Sequence, residues 1–180
     1  EFEQMEIEYF VKEKEWKKLY DLWRETMNNF FIRELKFKKN RMRWRQHEKD
    51  ELSHYSKETW DVEYEFPFGW GELWGIAYRT NFDLMQHQKF SGEKLEYLDP
   101  ETNEKFLPHC IEPTVGVDRT TLVALLEAYD EDEAPTAEGE GKGSEAPSEK
   151  GKEMEPRVVM RFPPKLAPVL LLLSVRLIEP

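Results

Sequence analysis

The run CIEPTVGVDRTTLVALL, residues 110–126, gathers the residue types that an anion site needs. A strand is predicted to end at Glu112-Pro113, a short loop to carry Gly116, and Arg119 to fall in the first turn of a helix. Glycine lets a ligand come close to the backbone. A helix N-terminus offers unpaired N–H groups and a partial positive charge. An arginine adds a fixed cation whose planar fork suits a phosphate. The same residues also suit a plain strand–loop–helix with Arg119 in a surface ion pair, and both readings stand at this point.

The opening residues alternate. Met5, Ile7, Tyr9 and Val11 point to one side of an extended strand, and Phe2, Gln4, Glu6, Glu8 and Phe10 to the other. The first set reads as a buried back. The second lines up an aromatic ring, an amide and two carboxylates, although an ordinary half-buried strand would show the same alternation. A third chemical candidate is KFKKNRMRWR, residues 36–45, where Phe37 and Trp44 interrupt a basic run. Such a run can track a polynucleotide backbone or be a solvated basic strand.

Other chemistries are excluded. Cys110 is the one cysteine, so neither an intrachain disulfide nor a Cys-based zinc site can form. His47, His54, His87 and His109 show no local ligand spacing. The net charge of −11 gives no global pull toward nucleic acid. Residues 130–156 hold ten acids against three lysines, which leaves −4 for the remainder.

Stepping along the chain, the elements that must position these residues are legible. Trp16, Leu19, Tyr20, Trp23, Met27 and Phe30 recur at steps of three and four, predicting an amphipathic helix over 14–31. HEKDELSHYSKET, 47–59, reads as a second helix. Trp60, Val62, Tyr64 and Phe66 alternate with Asp61, Glu63 and Glu65, then Pro67 and Gly69 make a turn into the strand 71–79. Asp83 is expected to cap a short helix. Leu95–Leu98 and Lys105–Ile111 form a hairpin around DPETNE, residues that favour a turn. The helix of 116–130 should bury Leu122, Leu125, Leu126 and Tyr129. The acidic segment 130–156 has almost no large apolar residue and is expected to be disordered and dispensable. A strand resumes at 157–162.

The opening residues EFEQMEIEYF carry no basic and then apolar stretch, so a signal peptide is not expected. The apolar stretch Val169 to Val175, interrupted by Ser174, is far shorter than the roughly 20 residues a membrane span needs. A reducing, cytoplasmic location and no membrane partner are the expectations.

With these motifs in order, the sequence resembles a known family. Glu-Pro-Thr-x-Gly-x-x-Arg opening a helix, Glu112 to Arg119, resembles motif 3 of the class II aminoacyl-tRNA synthetases. EFEQMEIE resembles the second strand of their motif 2. Together with HEKDELSHYSKETWDVEYEFPFGWGELWGIAYRTNFDL and PHCIEPTVGVDR, the pattern resembles the bacterial-type glycyl-tRNA synthetases over about residues 1–130. The likeness resumes at RVVMRFPPKLAP, similar to the start of their anticodon-binding domain. Beyond Pro168 it ends.

The resemblance implies an α+β fold, a class II antiparallel sheet flanked by helices. It implies a partial catalytic domain over 1–129 with an inserted helical region at about 12–59, the acidic linker at 130–156, and the start of an anticodon-binding domain at 157–180. It implies ATP contacts at Glu1, Phe2, Glu72, Leu73, Gly116, Val117, Asp118 and Arg119, with Phe2 stacking on adenine and Arg119 on the γ-phosphate. Glycine contacts are implied at Phe2, Glu3, Gln4, Met5, Glu6, Arg79, Glu112, Pro113, Thr114, Val115 and Gly116. Glu6, Glu112 and Arg119 carry the catalytic assignment. In a regular strand Arg79 and Glu72 face opposite ways, so Arg79 is expected beyond the strand's end. Thr114 stands where the family usually has serine and adds a methyl group to a tight pocket.

The implied partners are glycine, ATP with Mg2+, and tRNA(Gly), with a homodimer for the full-length enzyme. The Mg2+ ligands are open, with Glu72 and Glu112 as candidates. The family's motif 1 and the arginine-bearing first strand of motif 2 correspond to no residues of this chain, so the chain alone is expected to be inactive. The alternative is a synthetase-like module that binds a nucleotide or nucleic acid without catalysis.

Overall fold

The computed structural model describes residues 3–135 and 154–167. Two units are distinguished, Glu1–Val123 and Ala124–Pro180. The first is built on one antiparallel sheet. Its strands are β1 (Gln4–Glu6), β2 (Tyr9–Val11), β3 (Met42–Gln46), β4 (Glu58–Phe66), β5 (Gly69–Thr80) and β8 (His109–Gly116). They run in the order β1-β8-β5-β4-β3, and β2 also pairs with β8. A small hairpin, β6 (Tyr97–Leu98) with β7 (Lys105–Phe106), forms where the turn-rich DPETNE predicts it.

The sheet has one apolar and one polar face because its central strands alternate. Val62, Tyr64 and Phe66 share a side with Trp74, Ile76, Tyr78, Ile111 and Val115, and all are buried. Helix α1 (Trp16–Asn29) and the π-helical turn Phe30–Glu34 after it supply the cover. Trp16 stacks on Tyr78 at 3.9 Å, Phe31 stacks on Trp74 at 5.9 Å, and the Tyr20 hydroxyl donates to the Ile76 carbonyl at 2.8 Å. Arg24 lies between the rings of Trp44 and Trp60, at 4.5 and 4.0 Å from their centroids.

The opening strand keeps its predicted parity but not its predicted burial. Met5, Ile7 and Tyr9 are 51, 41 and 38 % exposed, and only Val11 is buried. These residues sit at the β8 edge of the sheet. The strand also breaks in two. Its partner opposite the break is Pro113, which has no N–H to give, so the one bond there is Ile7 N–H to the Pro113 carbonyl at 3.0 Å.

Residues 47–57 contain no helix. Isolated turns replace it: Glu51 N–H bonds the Glu48 carbonyl and Ser56 N–H the Ser53 carbonyl. The Glu51 carboxylate accepts from the Glu48 N–H and from Arg45, and Ser56 Oγ bonds Thr59. Short polar side chains here take the backbone partners that a helix would use. The region 12–59 is therefore helical mainly in its first half; its second half holds a short 3-10 turn at Lys39–Arg41 and β3, which joins the main sheet.

Helix α2 (Phe82–Ser91) begins at Asn81, without a side-chain cap. Asp83 does not cap it, because its carboxylate is bound to Arg79. Helix α3 (Val117–Ala128) follows β8 directly. Its buried residues are Val123 and Ala128, whereas Leu122, Leu125 and Tyr129, expected inside, are exposed.

In the second unit, β9 (Tyr129–Pro135) pairs with β10 (Met154–Met160). The ends of the acidic segment are thus strand rather than disordered. The reason is local charge: Arg157 bonds Asp132, and Arg161 bonds Asp130 and Asp132. Those arginines hold both aspartates below the usual carboxylate range. The rest of the segment, 136–153, lies outside the described residues.

Candidate functional site

The polar face of the sheet collects most of the residues singled out by chemistry. Register places Glu6 opposite Thr114, Thr114 opposite Gly75, and Gly75 opposite Asp61. One step along, Glu112 lies opposite Ala77, and Ala77 opposite Thr59. Partners across a ladder project to the same side. A cavity of about 240 Å³ lies over this floor, lined among others by Asp61, Glu72, Gly75, Glu112 and Thr114. A larger apolar groove of about 750 Å³ lies beside β2 and the β6–β7 hairpin and contains none of the predicted site residues.

Glu72 reaches this face through a β-bulge. Val62 pairs with Trp74 but Glu63 with Glu72, so Leu73 is an extra residue. Leu73 is fully buried, and its side chain faces no ligand space. The bulge resets the alternation, so Glu72 and Arg79 share a face within one strand. The expectation that Arg79 lies beyond the strand's end is corrected on this ground: Arg79 belongs to β5.

Arg79 and Glu112 form a pair, with Nη1 to Oε2 at 2.7 Å. Arg79 Nε and Nη2 also donate to Asp83, at 2.8 and 3.2 Å. Asp83 and then Glu112 hold the guanidinium well above its ordinary range. Burial raises the Glu112 carboxyl, and the bond from Arg79 offsets part of that rise. Arg79 thus favours the charged form of Glu112 against the effect of burial.

Arg119 sits in the first turn of α3, as predicted. It donates from Nη1 to the Glu72 carbonyl at 3.2 Å and lies 3.3 Å from Glu72 Oε2. No loop separates the strand from the helix, because Gly116 is the last residue of β8 and pairs with Gln4. The Val117 N–H is bonded to the Glu3 carbonyl at 3.0 Å and is not available to a phosphate. Asp118 is exposed, and Pro113 and Val115 are buried. Met5 lies opposite Val115 on the apolar side and does not join the polar face. Gln4 and Glu6 do, and both are exposed. Glu1 and Phe2 lie outside the described residues.

Sequence reasoning missed Asp61, His47 and Tyr55. Asp61 is 8 % exposed, with His47 Nε2 at 2.6 Å from its Oδ2. Its alternation with Glu63 and Glu65 was the available signal, but nothing local marks it as deeper than they are. The arginines of the basic run pair within the molecule, while Lys36, Lys38 and Lys39 are exposed. Arg43 pairs with Glu63 and lies over Trp70, Arg45 pairs with Glu51, and Arg41 donates to the Glu65 carbonyl. From Met42 onward the run belongs to strand β3.

The described residues hold no group of three or more His, Cys, Asp or Glu that could bind a metal ion. Glu72 and Glu112 each carry an arginine instead. The described residues also hold no helix long and apolar enough to cross a membrane.

No protein-family model matches the chain. Curated relatives do. It is 48 % identical over 169 residues to a glycine–tRNA ligase of Caldanaerobacter subterraneus subsp. tengcongensis, covering 94 % of this chain and 32 % of the relative. It is 50 % identical over 172 residues to a glycine–tRNA ligase of Ruminiclostridium cellulolyticum, covering 94 % and 33 %. A glycine–tRNA ligase of Geobacillus kaustophilus matches at 53 % over 133 residues, 74 % of this chain and 29 % of the relative. The chain spans about a third of the length of the curated relatives it matches, and its sequence family is that of the glycine–tRNA ligases.

Proposed function

We propose that the polar face of this chain is part of a site that activates glycine with ATP and that the whole protein is a glycine–tRNA ligase. One observation carries the reading: Glu6, Thr114, Gly75 and Glu112 share a single face, with Arg79 on Glu112 and Arg119 on Glu72. Glycine has no side chain to grip. A site for it must hold the ammonium by charge-assisted bonds and leave no room beyond the α-carbon. Glu6, Glu72 and Glu112 supply the carboxylates, and Thr114 narrows the space above Gly75.

The reaction is attack by the glycine carboxylate oxygen on the ATP α-phosphorus, with pyrophosphate leaving, followed by acyl transfer to tRNA(Gly). Arg119 is the cation for the outer phosphates and leaves Glu72 when ATP arrives. Mg2+ comes with ATP as part of the substrate; the two candidate ligands, Glu72 and Glu112, each face an arginine in this chain. Catalysis rests on positioning and charge neutralisation rather than covalent participation. Glu1 and Phe2 complete the adenine end, and the working enzyme is a cytoplasmic homodimer with residues 1–129 as part of its catalytic domain. The 180-residue chain by itself does not charge tRNA.

Glycine-dependent ATP–pyrophosphate exchange tests this. The 180-residue chain is expected to be silent. The complete protein is expected to exchange, and to lose on the order of 10²–10³ in rate on Arg119→Ala. A folded complete protein that stays silent with glycine overturns the assignment.

A further inference from the structure

Three of the five N–H donors of the Arg79 guanidinium are bonded, two to Asp83 and one to Glu112. The guanidinium also has two flat faces. The ring of Tyr55 covers one of them, with the guanidinium carbon 4.1 Å from the ring centroid. Tyr55 belongs to the loop 47–57 and also lines the cavity with Glu112 and Thr114.

The loop is tied down by bonds that do not involve Tyr55. Lys57 N–H donates to the Tyr78 carbonyl at 2.9 Å. Ser56 Oγ lies 2.7 Å from Thr59 Oγ1. The His54 ring stands edge-on to Phe82, the first residue of α2, at 5.1 Å. The ring is therefore presented to Arg79 by a frame that is fixed on both sides of it. An aromatic face attracts a guanidinium and holds it flat. A guanidinium held flat can meet two carboxylates along its edges at once.

We propose that Tyr55 is a positioning residue, whose ring sets the plane of the Arg79 guanidinium and through it the orientation of the Glu112 carboxylate. That this matters for an amino-acid substrate rests on the proposed function, while the positioning itself does not. The hydroxyl is not needed for the contact, so phenylalanine should replace tyrosine and leucine should not.

The test uses the 180-residue chain and needs no activity. The Arg79 side-chain Nε–H signal is assigned by its loss in Arg79→Lys, and its hydrogen exchange is measured by NMR. Tyr55→Leu is expected to speed that exchange by roughly five- to tenfold, the size of a partly desolvated cation–π contact, and Tyr55→Phe to leave it within about twofold. The Lys57 amide reports on the loop and is expected to stay protected in both. Unchanged Arg79 exchange in Tyr55→Leu overturns the proposal. So does parallel opening of Lys57, which makes Tyr55 a loop anchor instead. In a second arm, glycine and ATP are added to the complete protein. An Arg79 signal that ignores glycine there counts against the amino-acid reading, while the exchange result still decides the role of Tyr55.

Discussion

Glu72 and Arg79 project from the same face of β5 although their spacing in a regular strand would set them on opposite faces. The extra residue Leu73 turns the chain between them and buries its own side chain completely. Bulges re-aim side chains at functional sites, and this one brings the Arg119 partner and the Glu112 partner to one floor. Leu73→Ala should cost about 2–5 kcal/mol of folding stability, the range for emptying a buried leucine site. Glu72→Gln, at a half-exposed position, should cost less than about 1 kcal/mol. Urea unfolding of the two variants checks the contrast. A Leu73→Ala chain as stable as the parent would mean that the bulge is not held by its packing.

The pairing of Arg79 with Glu112 gives a second prediction. Burial already lifts the Glu112 carboxyl above its ordinary value, and Arg79 opposes that lift. Arg79→Met removes the opposing bond, so the Glu112 carboxyl should titrate at higher pH than in the parent. A carboxyl raised on folding destabilises the fold once it must ionise, and that cost appears as pH rises through the unfolded and then the folded value. The variant should therefore lose stability relative to the parent as pH rises above the ordinary glutamate value of about 4.3. A carbon-detected NMR titration of Glu112 reads the shift directly, and a downward shift would reverse the argument.

How much of this was legible in the sequence follows from which forces are local. The β4 and β5 strands, α1 and Arg119 in a first helical turn are periodic patterns, and periodicity is a property of the chain alone. The Leu73 bulge is not periodic. It arises from how β5 meets β4, and no residue near it announces it. The loop 47–57 carries helix-forming residues, but Glu51 and Ser56 spend their side chains on turns, and Tyr55 finds its partner on another strand. The edge position of Met5 and Ile7 depends on which strand lies beside them, so alternation predicted their side and not their burial. Asp130 and Asp132 read as part of a solvated acidic run until Arg157 and Arg161 are found across the ladder.

A third prediction concerns the apolar side of the sheet. The Tyr78 hydroxyl lies 2.5 Å from His109 Nδ1. Burial pushes Tyr78 up to about 12 and holds the His109 imidazole below its ordinary value, with Glu13 opposing and Lys57 adding to the latter effect. A neutral ring accepts the tyrosine proton, and a protonated ring cannot. Because the folded value is the lower one, the unfolded chain binds more protons in the window between them, and stability falls as pH drops below about 6.5. The melting temperature of the parent should fall more between pH 7.5 and 5.5 than that of His109→Gln. Equal slopes would show that His109 is not the group responsible.

The last prediction concerns why position 75 is glycine. A Cβ built there would lie 3.1 Å from Asp61 Oδ1 and 3.7 Å from Glu72 Oε1. The Glu72 side chain is half-exposed and can move away. Asp61 cannot move as easily, because it is buried and its other oxygen is bound to His47 at 2.6 Å. Gly75→Ala should therefore cost about 1–3 kcal/mol, as overpacking does, despite adding one carbon to a strand. Asp61→Ala should also destabilise, since it leaves His47 without its acceptor. In the double variant the two costs should fail to add, falling short of their sum by about 1 kcal/mol or more, because the methyl group then fills the space the carboxylate left. A thermodynamic cycle on the 180-residue chain measures this without reference to catalysis. Strict additivity would mean that the Asp61 oxygen does not define the space above Gly75, and the floor of the cavity would then have to be set by the Thr114 side instead.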